Sequence, residues 1–246
     1  MIVCFLKSEV KNELKASIIN KDIIGLVPTM GSLHEGHLSL IKTAVENCNQ
    51  VWVSIFINPT QFNNESDLKN YPKNIKKDIK LIKSVSKKIK VFCPEINEMY
   101  EKGLNYKQYD FNGIDSELEG KYRKGHFNGV ATIVSKLFKL FKPNQAFFGE
   151  KDFQQTQIIK RLIDLEKHKT KLIICPTVRE KNGLAMSSRN SLLSKKNREN
   201  SSIIFHNLNY VKTHFKKTDF DEIISRCIKS INSCDGFKTE YFEIVD

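Results

Sequence analysis

Two histidines, His34 and His37, lie three positions apart behind an apolar run that ends at Pro28. Gly31 and Gly36 are close to them and would let the backbone approach a ligand closely. A helix that begins in this segment would present free backbone N–H groups and a partial positive charge, which suit a phosphate. The segment is therefore a candidate phosphate-binding loop with two imidazoles as hydrogen-bond donors.

Two other interpretations of this segment stay open. Ser32 and Glu35 have the spacing of a capping box, which would make the segment an ordinary helix start. The two histidines could also bind a metal ion, although no third ligand lies near them in the sequence.

A second group of polar residues follows the apolar run Val51–Ile57. Asn58 and Gln61 stand just past the end of this predicted strand, and amides both donate and accept hydrogen bonds. They could bind a hydroxylated carboxylic acid, or the Asn-Pro-Thr-Gln string could be only a turn.

Two later segments carry cationic and hydroxyl side chains. Lys151 follows a strand and a glycine and would act as a mobile positive charge near a phosphate. Asp152 and Gln155 share a capping-box spacing, which is the purely structural alternative for both. Further along, Ser187, Ser188 and Arg189 form either a clamp for a polyphosphate or a polar loop. His126, in a GHFNGVAT string, is either a functional residue or an ordinary start of a helix.

The elements around these residues alternate between strands and amphipathic helices. Strands are predicted at 23–28, 51–57, 89–93, 146–148 and 172–175, with helices between them. This alternation predicts an α/β fold: a Rossmann-like parallel sheet with helices on both faces, whose ligands bind beyond the carboxyl ends of the strands. Because the alternation weakens after Pro176, we predict a first domain at 1–176 and a small α+β domain at 177–246. Apolar stripes predict two helices in this small domain, and alternation at 239–245 predicts a strand.

Composition limits the class of protein. No uncharged apolar run is long enough to span a membrane and no signal peptide is recognisable, so we expect a cytoplasmic protein. The six cysteines have neither zinc-site nor disulfide spacing, so reduced thiols are expected.

The net charge of +12 could attract nucleic acid, and lysines are concentrated between Lys73 and Lys90. This lysine-rich segment lacks interleaved aromatic residues and is better interpreted as a solvated helix face.

These motifs together resemble a known family. The HEGH string resembles the H-x-G-H signature of the nucleotidyl-transferring α/β superfamily, which includes class I aminoacyl-tRNA synthetases. The longer string PTMGSLHEGHL is similar to the pantothenate synthetase family, as are NPTQ, GHFNGVAT, FGEKDFQQ and MSSRN in the same order. The resemblance runs from about Gly25 to Asn190. Members usually continue beyond the position of Asp246, so the second domain is expected to be shortened.

The resemblance implies a substrate set and a role for each motif. It implies an ATP-dependent ligase that joins pantoate to β-alanine through a pantoyl-adenylate, with Mg²⁺ on the ATP phosphates. It also implies a homodimer. The implied catalytic residues are His34, His37, Lys151 and Arg189. The implied pantoate contacts are Asn58, Gln61 and Gln155, with Gln61 also near β-alanine. Asp78 or Asp152 is a possible magnesium ligand. The implied ATP contacts are Met30, Gly31, Ser32, Leu33, His34, Glu35, Gly36, His37, Gly149, Glu150, Lys151, Asp152, Val178, Met186, Ser187, Ser188 and Arg189.

Two rival functions remain. An RNA-binding protein descended from the synthetase superfamily would use the positive charge, but no anticodon-binding domain or stacking motif is visible. A cytidylyltransferase-like enzyme would share the H-x-G-H string but not the segment from Asn58 to Gln61.

Overall fold

The computed structural model describes residues 1–245, and the chain folds as two compact units, Met1–Thr177 and Val178–Asp246. The first unit is built on one sheet of six parallel strands in the order β1-β4-β3-β2-β5-β6. The strands are β1 Val3–Cys4, β2 Ile24–Thr29, β3 Gln50–Ile55, β4 Lys90–Phe92, β5 Gln145–Gly149 and β6 Lys171–Cys175.

Eleven α-helices occur in the described residues. They are α1 Lys7–Ile19, α2 Glu35–Asn47, α3 Glu65–Asn70, α4 Ile75–Val85, α5 Ile96–Met99, α6 Glu119–Tyr122, α7 His126–Phe141, α8 Phe153–Leu165, α9 Lys195–Asn200, α10 Ser202–His214 and α11 Phe220–Asn232. Short 3₁₀ turns lie at Pro59–Gln61, Ile114–Ser116, Glu150–Asp152 and Ser188–Leu192.

Helices cover both faces of the sheet, as predicted. On one face the core joins α1, α7 and α8, with Leu14, Phe138 and Ile158 buried among them. On the other face it joins α2 and α4, which contribute Ile41 and Ile82. The central strands read as nearly continuous apolar runs because both of their faces are buried.

The chain changes face between the neighbouring strands β2 and β5, which pair at Gly25–Gln145 and Leu26–Ala146. After β2 it continues into α2 on one face, and after β5 it continues into α8 on the other. The two connections therefore diverge and leave a crevice at the carboxyl ends of β2 and β5, the usual ligand position in such sheets.

The second unit is helical in its described residues. α11 buries Ile223, Cys227 and Ile231, and a single β-bridge joins Arg179 to Ala185. The strand predicted at 239–245 is wrong, because these residues form no sheet pairing. An alternating segment becomes a strand only beside a partner, and the described part of this unit contains no named strand to pair with.

Surface and thiol features agree with the composition. All six cysteines are free thiols. No helix in the described residues is both long and apolar enough to cross a bilayer. The lysines from Lys73 to Lys88 are exposed, while Asp78 and Ile82 of α4 face inward. This is the arrangement of a solvated helix face.

A buried carboxylate, Glu166, ties the end of α8 to its surroundings. Its side chain is only 9% exposed. Burial opposes its ionisation, but hydrogen bonds from Ser135, Lys139 and Lys107 outweigh that cost and lower the pKa of Glu166 to about 2. Its partners are Lys107 (3.1 Å), Tyr109 (3.1 Å), Ser135 (2.6 Å), Lys139 (3.0 Å) and His168 (3.1 Å).

Glu166 is expected to make the first unit sensitive to acid. Because its folded pKa is depressed, its stabilisation is present above the unfolded value of about 4.3 and is lost as the pH falls towards about 2. Glu166→Gln should lower the free energy of unfolding at pH 7 by roughly 2–3 kcal/mol. It should also reduce the dependence of that free energy on pH between about 4.3 and 2. Urea melts between pH 2 and 7 measure both. The control is Glu65→Gln, which removes only an exposed pair with Lys69 and should cost under about 0.5 kcal/mol. Equal losses in the two variants would contradict the assignment.

Candidate active site

The predicted chemistry-bearing residues of the first unit converge on the crevice between β2 and β5. The loop after β2 and the first turn of α2 carry Met30 to His37, and the end of β5 with the turn after it carries Gly149 to Asp152. A pocket of about 170 Å³ reaches both loops and the turn after β3. The predicted site residues that line it are Met30, His37, Asn58, Gln61, Gly149, Asp152 and Gln155.

The two histidines begin helix α2 by capping it themselves. His34 is the N-cap residue, and its Nδ1 accepts a hydrogen bond from the Gly36 N–H at 3.2 Å. His37 Nδ1 accepts from the His34 N–H at 3.3 Å, and the two rings lie 4.0 Å apart between centroids. The Ser32–Glu35 capping box is therefore wrong, since the helix starts two residues later than that box requires. With each Nδ1 an acceptor, each Nε2 carries the proton and is left as a donor.

Both imidazoles are neutral at physiological pH. Burial and the nearby positive charge of Lys151 lower the pKa of His34 to about 4. Burial, His34 and Lys151 lower the pKa of His37 to about 3. Neutral rings with Nε2–H donors can hydrogen-bond an anionic oxygen without first losing or gaining a proton. The influence of Lys151 on both histidines shows that the loops after β2 and β5 share one electrostatic environment.

The loop before the histidines is held by Asp78 from helix α4. Its Oδ2 accepts from the Ser32 N–H at 2.9 Å and its Oδ1 accepts from the Leu33 N–H at 2.8 Å. Asp78 is only 2% exposed. Gly31 and Ser32 both have positive φ angles, 78° and 51°, and a Cβ on Gly31 would lie 3.0 Å from Asp78 Oδ2. Asp78 thus stabilises a strained turn that non-glycine residues rarely adopt.

The loop after β5 presents an exposed cation. Lys151 contacts the Asp152 carboxylate at 3.2 Å, and both side chains are substantially exposed. Asp152 stands at the N-cap of α8 but makes no capping hydrogen bond, so the Asp152–Gln155 capping box is wrong as well. The side-chain amide of Gln155 makes no hydrogen bond to any described residue. The exposed Lys151 side chain and the Gln155 amide are therefore available to a ligand.

The turn after β3 holds Gln61 through Asn58. The Asn58 amide nitrogen donates to Gln61 Oε1 at 3.0 Å and to the Gly129 carbonyl at 3.1 Å. Its oxygen accepts from Thr60 at 3.0 Å and Tyr100 at 2.5 Å. Every polar atom of the Asn58 side chain thus has a partner within the protein. Gln61 Nε2 lies 3.0 Å from the sulfur of Met30, which links this turn to the histidine loop.

A larger pocket of about 660 Å³ lies on the other side of the Met30–Ser32 turn. It shares only Met30 and Phe56 with the smaller pocket, and neither histidine, Lys151 nor Gln155 lines it. Of these residues, His37 and Gln155 line the smaller pocket, which makes it the candidate site despite its size.

The second unit contains the remaining predicted contacts. The Val178 carbonyl accepts from the Met186 N–H at 2.9 Å, which brings the residue before the hydroxyl pair beside Val178. Ser187 caps the 3₁₀ turn Ser188–Leu192 by accepting from the Arg189 N–H at 3.3 Å. Val178, Met186, Ser187, Ser188 and Arg189 thus belong to one local loop structure.

Comparison with known proteins gives this arrangement a family. A sequence model of the pantoate–β-alanine ligase family matches residues 4–246. The chain belongs to the pantoate–β-alanine ligase family.

Relatives and solved structures agree with this membership. The chain is 43% identical to a pantothenate synthetase of Flavobacterium psychrophilum, over 100% of this chain and 87% of the relative. It is 46% identical to that of Christiangramia forsetii, over 91% and 79%. The pantothenate synthetase structure from Thermus thermophilus matches with a TM-score of 0.91 and 32% identity, over 100% and 87%. The Francisella tularensis pantoate–β-alanine ligase, solved as a complex with β,γ-ATP and β-alanine, matches with a TM-score of 0.85 and 36% identity, over 100% and 90%.

Several residues that support the ligase-family motifs were not assigned roles from the sequence. His126 Nδ1 lies 2.7 Å from the Gln61 carbonyl, and Arg123 donates to the same oxygen at 3.2 Å. A Cβ on Gly129 would lie 2.3 Å from the Thr60 carbonyl, so α7 packs directly against the Gln61 turn. The GHFNGVAT string therefore positions the NPTQ string, which neither string reveals alone.

The second unit has a similar supporting residue. Asn190 is buried, and its amide donates to Glu180 at 2.8 Å and to the Ala185 carbonyl at 3.1 Å. Glu180 is in turn paired with Arg198 at 2.8 Å. Asn190 closes the loop behind Ser187 and Arg189, and its place at the end of the MSSRN string was the available signal.

Proposed function

We propose that the chain catalyses the ATP-dependent condensation of pantoate with β-alanine, giving pantothenate, AMP and pyrophosphate. The observation that supports this proposal is that two different binding surfaces lie side by side in one crevice. One is formed by the segments after β2 and β5, with neutral histidine donors and a lysine, and is suited to phosphate. The other is a small pocket with two glutamine amides, suited to a hydroxylated acid.

ATP is assigned to the loops after β2 and β5. The backbone of residues 30–37 and of Gly149 to Asp152 would surround the nucleotide, with the Nε2–H groups of His34 and His37 donating to phosphate oxygens. Lys151 would neutralise charge that develops at the α-phosphate. In the second unit, the backbone of Val178 would contact adenine, and Ser187, Ser188 and Arg189 would bind the pyrophosphate portion.

Pantoate is assigned to the smaller pocket. Its apolar wall, which includes Val130, Val134 and Phe148, suits the two methyl groups of the substrate. Gln61 and Gln155 would bind its polar groups, and Gln61 would also lie near β-alanine. Asn58, whose amide is fully engaged by the protein, would act by orienting Gln61.

The reaction has two steps. A carboxylate oxygen of pantoate attacks the α-phosphorus of ATP, and the bond to pyrophosphate breaks. The neutral amine of β-alanine then attacks the carbonyl carbon of the pantoyl-adenylate, AMP leaves with the bridging oxygen, and the amine loses a proton. Neither step needs a covalent bond to the protein, so positioning and charge stabilisation are what the side chains supply.

Magnesium would bind together with ATP, through the phosphates, and would offset their negative charge. Of the two carboxylates considered for it, Asp78 already uses both oxygens to hold the Met30–Leu33 turn and is buried. Asp152 is exposed beside Lys151 and lines the pocket. We therefore favour Asp152 as the side chain within reach of the cation.

The proposal is tested by product analysis. The protein is mixed with ATP, Mg²⁺ and pantoate, with and without β-alanine, and AMP and pyrophosphate are measured. Pyrophosphate release that needs pantoate, and AMP release that needs both substrates, would support it. Release of pyrophosphate with CTP and an alcohol phosphate, or RNA binding without AMP formation, would favour one of the rival functions.

A cytoplasmic location, a homodimer and the division of roles between the two units are part of this proposal. Sedimentation of the purified protein tests the dimer.

Gln155→Ala is expected to raise KM for pantoate roughly tenfold or more while leaving KM for ATP nearly unchanged. Its amide has no intramolecular partner to lose, so the change removes substrate binding and not a helix cap. Initial rates with each substrate varied in turn measure the effect. Gln157→Ala, on the same helix and outside the pocket, is the control. An equal rise in both KM values would instead indicate a structural role at the start of α8.

A further inference from the structure

A buried serine, Ser54, lines the pantoate pocket with its hydroxyl unsatisfied. Ser54 is 1% exposed and lies near the carboxyl end of β3, opposite Pro28 of β2. In the described residues, four buried side-chain polar atoms have no hydrogen-bond partner, and Ser54 Oγ is the one whose residue lines this pocket.

The surroundings of Ser54 make this orphan hydroxyl costly. The pocket wall contributed by α7 is apolar, with Val130, Ile133, Val134 and Leu137. The Ser54 carbonyl accepts from Thr29 Oγ1 at 2.8 Å, so the backbone there is fixed even though the side chain has no partner. A buried hydroxyl without a partner destabilises the free protein, and a strand residue could be alanine or valine without that cost. A ligand group that bonds this hydroxyl would recover the cost.

We propose that Ser54 Oγ hydrogen-bonds the terminal hydroxyl of pantoate and is a specificity-determining residue for it. This inference rests on the proposed function. The carboxylate of pantoate must point to the α-phosphate, towards His37, Gly149 and Lys151. The terminal hydroxyl is at the other end of the four-carbon chain and therefore enters the deep part of the pocket, where Ser54 is buried. Gln61 and Gln155 then bind the groups nearer the reacting end.

The test compares two enzymes on two substrates: wild type and Ser54→Ala, each with pantoate and with its analogue that lacks the terminal hydroxyl. Ser54→Ala is expected to lower kcat/KM for pantoate roughly tenfold, mainly through KM, and to change kcat/KM for the deoxy analogue by less than about twofold. KM for ATP should stay constant. The melting temperature should not fall, because the substitution removes no hydrogen bond present in the free protein.

Ser17→Ala is the matched control, since Ser17 is also a buried serine but lies in α1, outside the pocket. It should leave both substrates unaffected. An equal loss for pantoate and the deoxy analogue in Ser54→Ala, or no loss for either, would overturn the assignment of Ser54 alone. A wild-type enzyme that forms no AMP from pantoate would overturn the proposed function and this inference with it.

Discussion

Lys151→Ala is expected to lower the rate of pantoyl-adenylate formation about 100- to 1000-fold. Lys151 lies on the loop after β5, and its charge already perturbs both histidines of the loop after β2. In the transition state negative charge builds up around the α-phosphorus. Removing the nearby cation therefore raises the barrier without changing how the protein folds. Pyrophosphate release in a single turnover, with ATP and pantoate saturating, measures this step directly.

The melting temperature separates catalysis from stability in this variant. The Lys151–Asp152 pair is exposed, with 39% and 58% of the two side chains accessible, so its loss should cost little stability. Lys160→Ala, an exposed lysine on α8, is the control and should change neither quantity. Near-normal activity of Lys151→Ala would remove Lys151 from the site. A large fall in melting temperature would instead make it a structural residue of the turn at 150–152.

The strands and helices that could be predicted from the sequence are those with a continuous apolar run or a strongly periodic apolar face. The buried strands β2, β3 and β5 are short apolar runs, and α7 and α8 carry clear apolar faces, so all five were predicted. β1 was missed because two residues give no pattern, and α1 was missed although Val10, Leu14 and Ser17 mark its buried face. The strand order could not be predicted, because pairings such as that of β1 with β4 join residues far apart in the sequence.

The candidate site shows the same division between local and long-range information. Side-chain types pointed to His34, His37, Lys151 and Gln61, because these groups are chemically distinctive wherever they occur. Their supports could not be found this way. Asp78 caps a turn 45 residues earlier in the chain, and His126 holds the carbonyl of a residue 65 positions away. The sequence left Asp78 open as a magnesium ligand, and only its two short contacts to backbone N–H groups indicate its other role.

Asp78→Asn is expected to reduce stability by about 3–5 kcal/mol, even in the absence of any metal ion, and to reduce activity about 100-fold in the presence of Mg²⁺. The carboxylate accepts hydrogen bonds from two adjacent N–H groups in a buried position. An asparagine side chain has only one acceptor oxygen, so its amide nitrogen would face one of these donors. The turn at Gly31 and Ser32, already at positive φ, would then relax and move the two histidines that follow it.

Melting curves in EDTA, together with rates at varied Mg²⁺ concentration, distinguish a turn-holding Asp78 from a metal-binding one. If Asp78 holds the turn, its asparagine variant melts early in EDTA, and extra Mg²⁺ does not restore the rate. Asp152→Asn is the matched control: Asp152 is exposed and caps nothing, so its variant should melt like the wild type. If Asp152 is the carboxylate within reach of the cation, only its variant should need more Mg²⁺ for half-maximal activity. A normal melting temperature for Asp78→Asn, combined with a raised Mg²⁺ requirement, would reverse the two assignments and make Asp78 the metal ligand.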